Sequence, residues 1–332
     1  MDGAMKSRGF FSFIKDTPAY KDSEKNWYVE LADYTVFWFD LMINSPPGID
    51  FQKVAAEYLK DYRDAVKESN DKRFVYFIAA RQKVRFSTRK SPKYSLTKRE
   101  IIIYLEIGKK RTVRKLRFLA SPSLSGRRLP IIVDNGRFIS IWGSDQSKPV
   151  GVSVHEFLMG ENINIGIDTE ILYVGSTDAP ATRPLKRDHR GYSDSLYDTP
   201  TDERDIFVYY NLFKATSVTQ SNPYLISFAV SNSAIDEVQK MEEGILLEHG
   251  LIHYFGTKSQ EKSKTLEYGR LREGLRRLSA NYKIESVTYY IQAATPTEYW
   301  HLYSRQVPVN HRHNFSLSLA GEEVLLGEPV EL

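Results

Sequence analysis

The chain of 332 residues contains no cysteine. Disulfide frameworks, zinc–thiolate sites and cysteine nucleophiles are excluded, and the composition fits a reducing cytoplasm. Long hydrophobic runs are lacking too. The longest apolar stretch, Trp27 to Ile43, is interrupted by Glu30, Asp33 and Asp40, which argues against a membrane span. The patch Phe10-Phe11-Ser12-Phe13-Ile14 behind Lys6 and Arg8 is too short for a secretory core and has no small-residue cleavage site. A cytoplasmic protein is expected. Gly-rich phosphate loops, nucleophile elbows and paired-carboxylate motifs are missing as well.

Acid is scarce in one region. From Lys72 to Arg128, 18 Lys and Arg meet only Glu100 and Glu106, so this block carries +16 within a chain of net charge +4. The remainder is therefore −12. Such asymmetry suggests a face built for a polyanion. The bland alternative is a strand surface whose cations partner the acidic half of the same chain.

Aromatics are plentiful, with 21 Tyr and 17 Phe, enough for a large core. Spacings of three and four predict a helix through Trp27, Tyr28, Leu31, Tyr34, Phe37 and Trp38, and a second from about Asp50 through Phe51, Leu59 and Tyr62. Residues 73–142 read as β-rich, with strands at Phe74–Ile78, Ile101–Ile107 and Ile131–Val133. Arg81, Lys83 and Arg85 alternate and are expected to project from one strand face, with Lys115 and Arg117 doing the same on the next ribbon. Such a basic ribbon can track a phosphate backbone. Ser153 is expected to cap a short helix ended by Gly160. Strands are expected at Glu170–Gly175, Asp205–Tyr210, Tyr224–Val230 and Ile284–Ile291. A long helix from Ser233 to Phe255 and a basic helix at Leu266–Leu278 complete the reading. His249 and His253 have zinc-compatible helical spacing but no obvious third ligand. Asn310-His311-Arg312-His313-Asn314 reads as a turn.

One order of residues points to chemistry. The strand Ile171-Leu172-Tyr173-Val174-Gly175 is followed by Arg183, Lys186, Arg187 and His189, and later by Glu248 ahead of Leu251-Ile252. Over residues 165–258 this resembles the GIY-YIG nuclease superfamily. The resemblance implies a Mg²⁺-dependent (or Mn²⁺-dependent) endonuclease acting on DNA, with RNA as a second substrate class. Tyr173 would be the general base, and Arg183 would pair with the scissile phosphate. His189 would assist, and Glu248 would hold the metal. Gly175, Lys186 and Arg187 would lie against the substrate, with Arg81, Lys83, Arg85, Lys115 and Arg117 holding the duplex. The family's first tyrosine has no counterpart in Gly160-Glu161-Asn162-Ile163. An insertion after Arg137–Trp142 would explain this, with His155 taking over the role. Gly256-Thr257-Lys258-Ser259 stands where the family often has an asparagine.

The expected fold class is α+β: a small GIY-YIG-like mixed sheet with flanking helices, plus an N-terminal helical and β-rich basic domain. Residues 1–150 would form the basic accessory part, 151–260 the nuclease part and 261–332 a C-terminal extension. Restriction, phage defence and mobile elements all fit as settings. Two alternatives stay open. One is an inactive nuclease fold retained as a nucleic-acid-binding module. The other is a scaffold or assembly protein whose acidic and basic halves pair, within the chain, in a homo-oligomer or with a partner protein.

Overall fold

The computed structural model describes residues 8–46, 50–68, 74–95, 100–119, 129–142, 149–177, 199–220, 224–257, 260, 263–294 and 297–329. In chain order the strands are β1 (Lys25–Trp38), β2 (Phe74–Gln82), β3 (Val84–Phe86), β4 (Lys93–Ser95), β5 (Glu100–Ile107) and β6 (Thr112–Leu119). Then come β7 (Ile131–Val133), β8 (Phe138–Trp142), β9 (Pro149–Ser153), β10 (Thr169–Thr177), β11 (Arg204–Thr219) and β12 (Ala229–Ser231). The last are β13 (Ile284–Gln292), β14 (Leu302–Tyr303), β15 (Arg312–Ala320) and β16 (Glu323–Gly327). The architecture is α+β and its main sheet is mixed. That sheet runs β14-β10-β2-β11-β1-β13-β15-β16, with β12 also on β11. β1/β13 and β10/β14 are its parallel pairs.

The main sheet takes strands from residues 1–150, 151–260 and 261–332 alike. β1 lies between β11 and β13, so the expected boundaries at 150 and 260 fall inside one hydrogen-bonded sheet. One apolar cluster runs from Trp27 through Phe77, Phe207 and Leu251 to Leu317. Removing any of the three parts would expose it.

The helix expected at Trp27–Trp38 is instead the strand β1. Its aromatic and β-branched residues favour a pleated backbone. Its buried first half, between two partner strands, keeps Trp27, Tyr28 and Val29 all out of water, which erases the period-two signal. The expected long helix is broken into Asn232–Ile235 and Lys240–Phe255, because Asp236 adopts φ 48°. The Asn232 side chain binds both backbone groups of Val238 and clamps the break. Of the strand expected at Tyr224–Val230, only Ala229–Ser231 pairs. Asn310 makes an isolated bridge to Leu302, and strand structure, rather than a turn, resumes at Arg312.

Strict alternation on β2 and β11 builds two layers. Phe74, Tyr76, Ile78, Ile206, Val208 and Tyr210 meet Leu59 and Ala55 of the helix Phe51–Glu68. Val75, Phe77, Phe207 and Tyr209 face the opposite layer, which holds the helices Lys240–Phe255 and Lys264–Tyr282. Two small antiparallel sheets share that layer. In one, β5 pairs with β3, β4 and β6; in the other, β7, β8 and β9 form a meander. Ser153 caps the helix Val154–Gly160 with a reciprocal Glu156 contact, as its sequence predicts.

Candidate nucleic-acid interface

Tyr173 and Glu248 lie on opposite faces of the main sheet. The Tyr173 ring sits 5.9 Å from that of Tyr76 and belongs to the layer under the helix Phe51–Glu68. Glu248 comes from the helix on the other face, whose Leu246, Leu247 and Leu251 pack in the Val174 layer. Its carboxylate accepts from the backbone N–H of Ser176 at 3.0 Å and from the Ser176 hydroxyl. The sequence order Tyr173…Glu248 therefore meets in space at Ser176, not at the tyrosine ring. Gly175 has a packing reason: a Cβ there would lie 2.7 Å from the rings of Tyr173 and Tyr76. Tyr76 occupies the approach that a substrate would need. Arg183, Lys186, Arg187 and His189 lie outside the described residues. Glu248 commits both oxygens to Ser176, and no group of three His, Asp or Glu among the described residues is placed to hold a metal ion. These residues do not fit a Mg²⁺ site.

The basic row also separates. β2 ends at Gln82 and β3 opens a different sheet at Val84, so Arg81, Lys83 and Arg85 do not share a face. Arg81 is fully buried on β2 and donates to Glu298 at 2.6 Å while its guanidinium lies 3.8 Å from the Tyr299 ring centre. It is a core residue and unavailable to a phosphate. Glu298 also accepts from the backbone N–H groups of Ile165 and Gly166, so the pair ties loop to sheet. Arg85 is bound to Asp205 at 2.8 Å and lies 4.8 Å from the centre of the Trp38 ring. Lys83 donates to the carbonyl of Thr201.

His155 is likewise internal. Its Nε2–H donates to Asp205 at 3.0 Å and its Nδ1 accepts from the Tyr299 hydroxyl at 2.7 Å. Burial lowers the His155 pKa against the pull of Asp205, so the ring stays neutral. Burial pushes Asp205 upward, but His155, Arg85 and the Val84 N–H outweigh it and hold the carboxyl below its ordinary range. Arg81 and Arg85 of the basic block are thus neutralised inside the fold, by Glu298 and Asp205 from outside that block.

The outer face of the β3/β4–β5–β6 sheet is different. Its inner face carries Ile101, Ile103, Leu105 and Leu116, all buried. Alternation then turns the intervening residues outward. Tyr104 lies opposite Lys115, and Ile102 lies between Lys93 and Arg117. The Lys90 ammonium sits 5.4 Å from the centre of the Tyr104 ring. Among the described residues, no carboxylate forms an ion pair with Lys90, Lys93 or Lys115, and Arg117 has only Glu100 at 3.9 Å. At one end of this face Glu106 binds Arg89 and Arg111. Burial alone would raise its pKa, but hydrogen bonds from Ser87, Arg89 and Arg111 hold it below the usual carboxylate value. That end has a carboxylate shared by two of its cations, while the Tyr104 end has none paired with its lysines among the described residues.

The sequence places Lys115 and Arg117 on one ribbon face; the structure sets Tyr104, Lys90 and Lys93 beside them. The alternation Ile101 to Ile107 was legible, and it already set Tyr104 on the face opposite Ile103. What was not legible was that β4 folds back to put Lys93 beside the same residues. No family model matches the chain, and no curated protein and no solved structure is significantly similar to it.

Proposed function

We propose that this protein binds nucleic acid on the outer face of the β3/β4–β5–β6 sheet, and that single-stranded segments are its preferred form. Lys90, Lys93, Lys115 and Arg117 would meet phosphates, and Tyr104 would offer a base a stacking surface. The observation that carries this reading is the set of Lys90, Lys93 and Lys115, without an ion pair among the described residues, around one outward aromatic ring, while Arg81 and Arg85 of the same basic block are paired internally. A groove that follows the backbone with cations and stacks bases on aromatics is how sequence-tolerant single-strand binding works. A hydrolytic step is not part of the proposal, because the Tyr173 ring and the Glu248 carboxylate face opposite ways from the sheet.

Fluorescence anisotropy with a labelled oligothymidylate and a duplex of equal length tests it. The single strand should bind more tightly, with a steep salt dependence. Replacing Lys93, Lys115 and Arg117 by Gln together should lower the salt slope by about 2, at roughly 0.7 per cation on single strands. Tyr104→Ala should cost about 1–3 kcal/mol of binding. Equal affinity of the triple variant and the parent protein would sink the assignment of this face.

A further inference from the structure

A separate cavity lies between the ends of the helices Lys240–Phe255 and Lys264–Tyr282, with a volume of about 520 Å³. That is within the range that holds a small organic ligand. Its walls are built rather than loosely apposed. The Gln306 carboxamide donates to the carbonyls of His253 and Tyr254 at 2.8 and 2.6 Å and closes the helix end. Gly256 has φ 52°, and a Cβ there would come within 2.1 Å of that carboxamide. Thr257 donates to Gln260, which in turn donates to the Val174 carbonyl and so fixes the wall to the main sheet.

The polar groups inside have an unequal arrangement. His249 is 5% exposed, and its Nδ1 lies 2.8 Å from Glu267. The close contact with His249 comes first among the causes that hold the Glu267 carboxyl below its ordinary pKa, ahead of the opposing effect of burial. A carboxylate oxygen only accepts, so at 2.8 Å the Nδ1 atom carries a proton toward Glu267, and Nε2 is the ring atom left to meet a ligand. No partner for Nε2 stands among the described residues, although the ring lines the cavity. Lys264 also lines it, is exposed and has no ion pair among the described residues. Its charge reaches inward: after burial, it is the cause that lowers the His253 pKa. Lys264 opens a 19-residue helix whose preceding Ser263 gives no side-chain cap, so the positive helix end adds to its field. Ile252 and the Tyr268 ring supply apolar wall.

We propose that this cavity binds a small hydroxylated organic acid with an apolar body. The ligand carboxylate would pair with Lys264 at the helix start, the ligand hydroxyl would hydrogen-bond with Nε2 of His249, and the apolar body would lie against Ile252 and Tyr268. A ring nitrogen without a partner among the described residues and a cation in one cavity select a ligand that carries a hydroxyl and an anion together.

Three probes of one shape separate the parts: mandelate, phenylacetate without the hydroxyl, and mandelamide without the charge. Isothermal titration and thermal shift should show saturable binding of mandelate. Phenylacetate and mandelamide should each bind at least about tenfold more weakly, about 1.4 kcal/mol for each lost contact. Lys264→Gln should erase the preference for mandelate over mandelamide while leaving the melting point of the unliganded protein unchanged, since Lys264 has no ion pair among the described residues. Absence of saturable mandelate binding up to ~10 mM, a range corresponding to only weak millimolar affinity, overturns the proposal. So does mandelamide binding as tightly as mandelate, or phenylacetate binding as tightly as mandelate. These outcomes are independent of oligonucleotide binding on the small sheet.

Discussion

Arg81 and Lys115 belong to the same basic block and stand on strands of similar length, yet one is in the core and the other is in water. Arg81 sits on β2, between β10 and β11 in the main sheet, with a layer of side chains above it. A charge there is tolerable only because Glu298 and Thr169 satisfy it at 2.6 and 3.0 Å. Lys115 sits on β6, with one strand partner, and its side turns away from the core. Nothing there demands a partner. Cation density along a chain therefore does not measure the charge on a surface. What matters is whether the strand is covered on the face the side chain takes.

The comparison breaks most visibly if Arg81 is made apolar. Arg81→Met takes the cation from the Glu298 carboxylate in a site where it is 1% exposed, and Glu298→Gln does the converse to Arg81. Each should lower unfolding free energy by about 3–5 kcal/mol, because an unpaired buried charge remains. Removing both partners, as Arg81→Met with Glu298→Leu, should recover much of that loss. Urea unfolding followed by circular dichroism measures all three. If the double variant were no better than the worse single one, the charges would not be acting as a pair.

The core also holds charge-sensitive rings that the outer face lacks. Burial lowers the His313 pKa to about 4, while its Nε2–H donates to the carbonyls of Leu302 and Asn310. In the unfolded chain a histidine takes up a proton near pH 6.5, roughly its ordinary value. Between that pH and about 4 the unfolded state alone is protonated at this residue, so stability falls as pH falls across this window. At about 1.4 kcal/mol per unit, the effect is on the order of 3 kcal/mol. His155, lowered by burial, acts in the same direction. Below the ordinary carboxylate range Asp205 and Glu106, both held low, add further loss as they are protonated. His313→Gln should be less stable at pH 7 but show a flatter dependence between pH 6.5 and about 4. A parallel curve would assign the sensitivity elsewhere.

The same contrast explains what was readable in the sequence. Amphipathic elements with one wet face announced themselves: the helix Phe51–Glu68, the Ser153 cap, and the alternation on β5. Coverage on both faces hid β1, although the apolar runs of β2 and β11, covered in the same way, still read as strands. β1 buries Trp27, Tyr28 and Val29 in succession, and spacing alone then fits a helix as well as a strand. Distances across the sheet were beyond reach for a different reason. The β-bulge between Ile171 and Tyr173 shifts the register of β10, and the face that Tyr173 takes depends on it. Ser176, rather than Tyr173, meets Glu248 because residues two apart share a face with Val174. The partner of Arg81 lies 217 positions away, and no local pattern marks it.

Gly175 sharpens the point at intermediate scale. Gly175→Ala would press a methyl group against the Tyr76 and Tyr173 rings, 2.7 Å away in the present packing. Rings held between the sheet and the helix Phe51–Glu68 can yield only by shifting neighbours, so a loss of about 1–3 kcal/mol is expected. Oligonucleotide affinity should be untouched, because the small sheet lies in the other layer. If the variant kept its stability and lost binding, Gly175 would belong to a substrate surface after all.

The smallest structural effect is expected at Lys115, and there the function should show. Lys115→Gln removes an exposed ammonium that has no carboxylate partner among the described residues, so the denaturation midpoint should not move measurably. The salt dependence of single-strand binding should nevertheless flatten by about 0.7 in logarithmic slope, the share of one phosphate contact. Lys109→Gln is the matched control, since Lys109 lies in the same block but is paired with Glu203. Its slope should change less. If both variants flattened the slope equally, the protein would be reading bulk charge, and the order imposed by Tyr104 and its neighbouring cations would have no part in recognition.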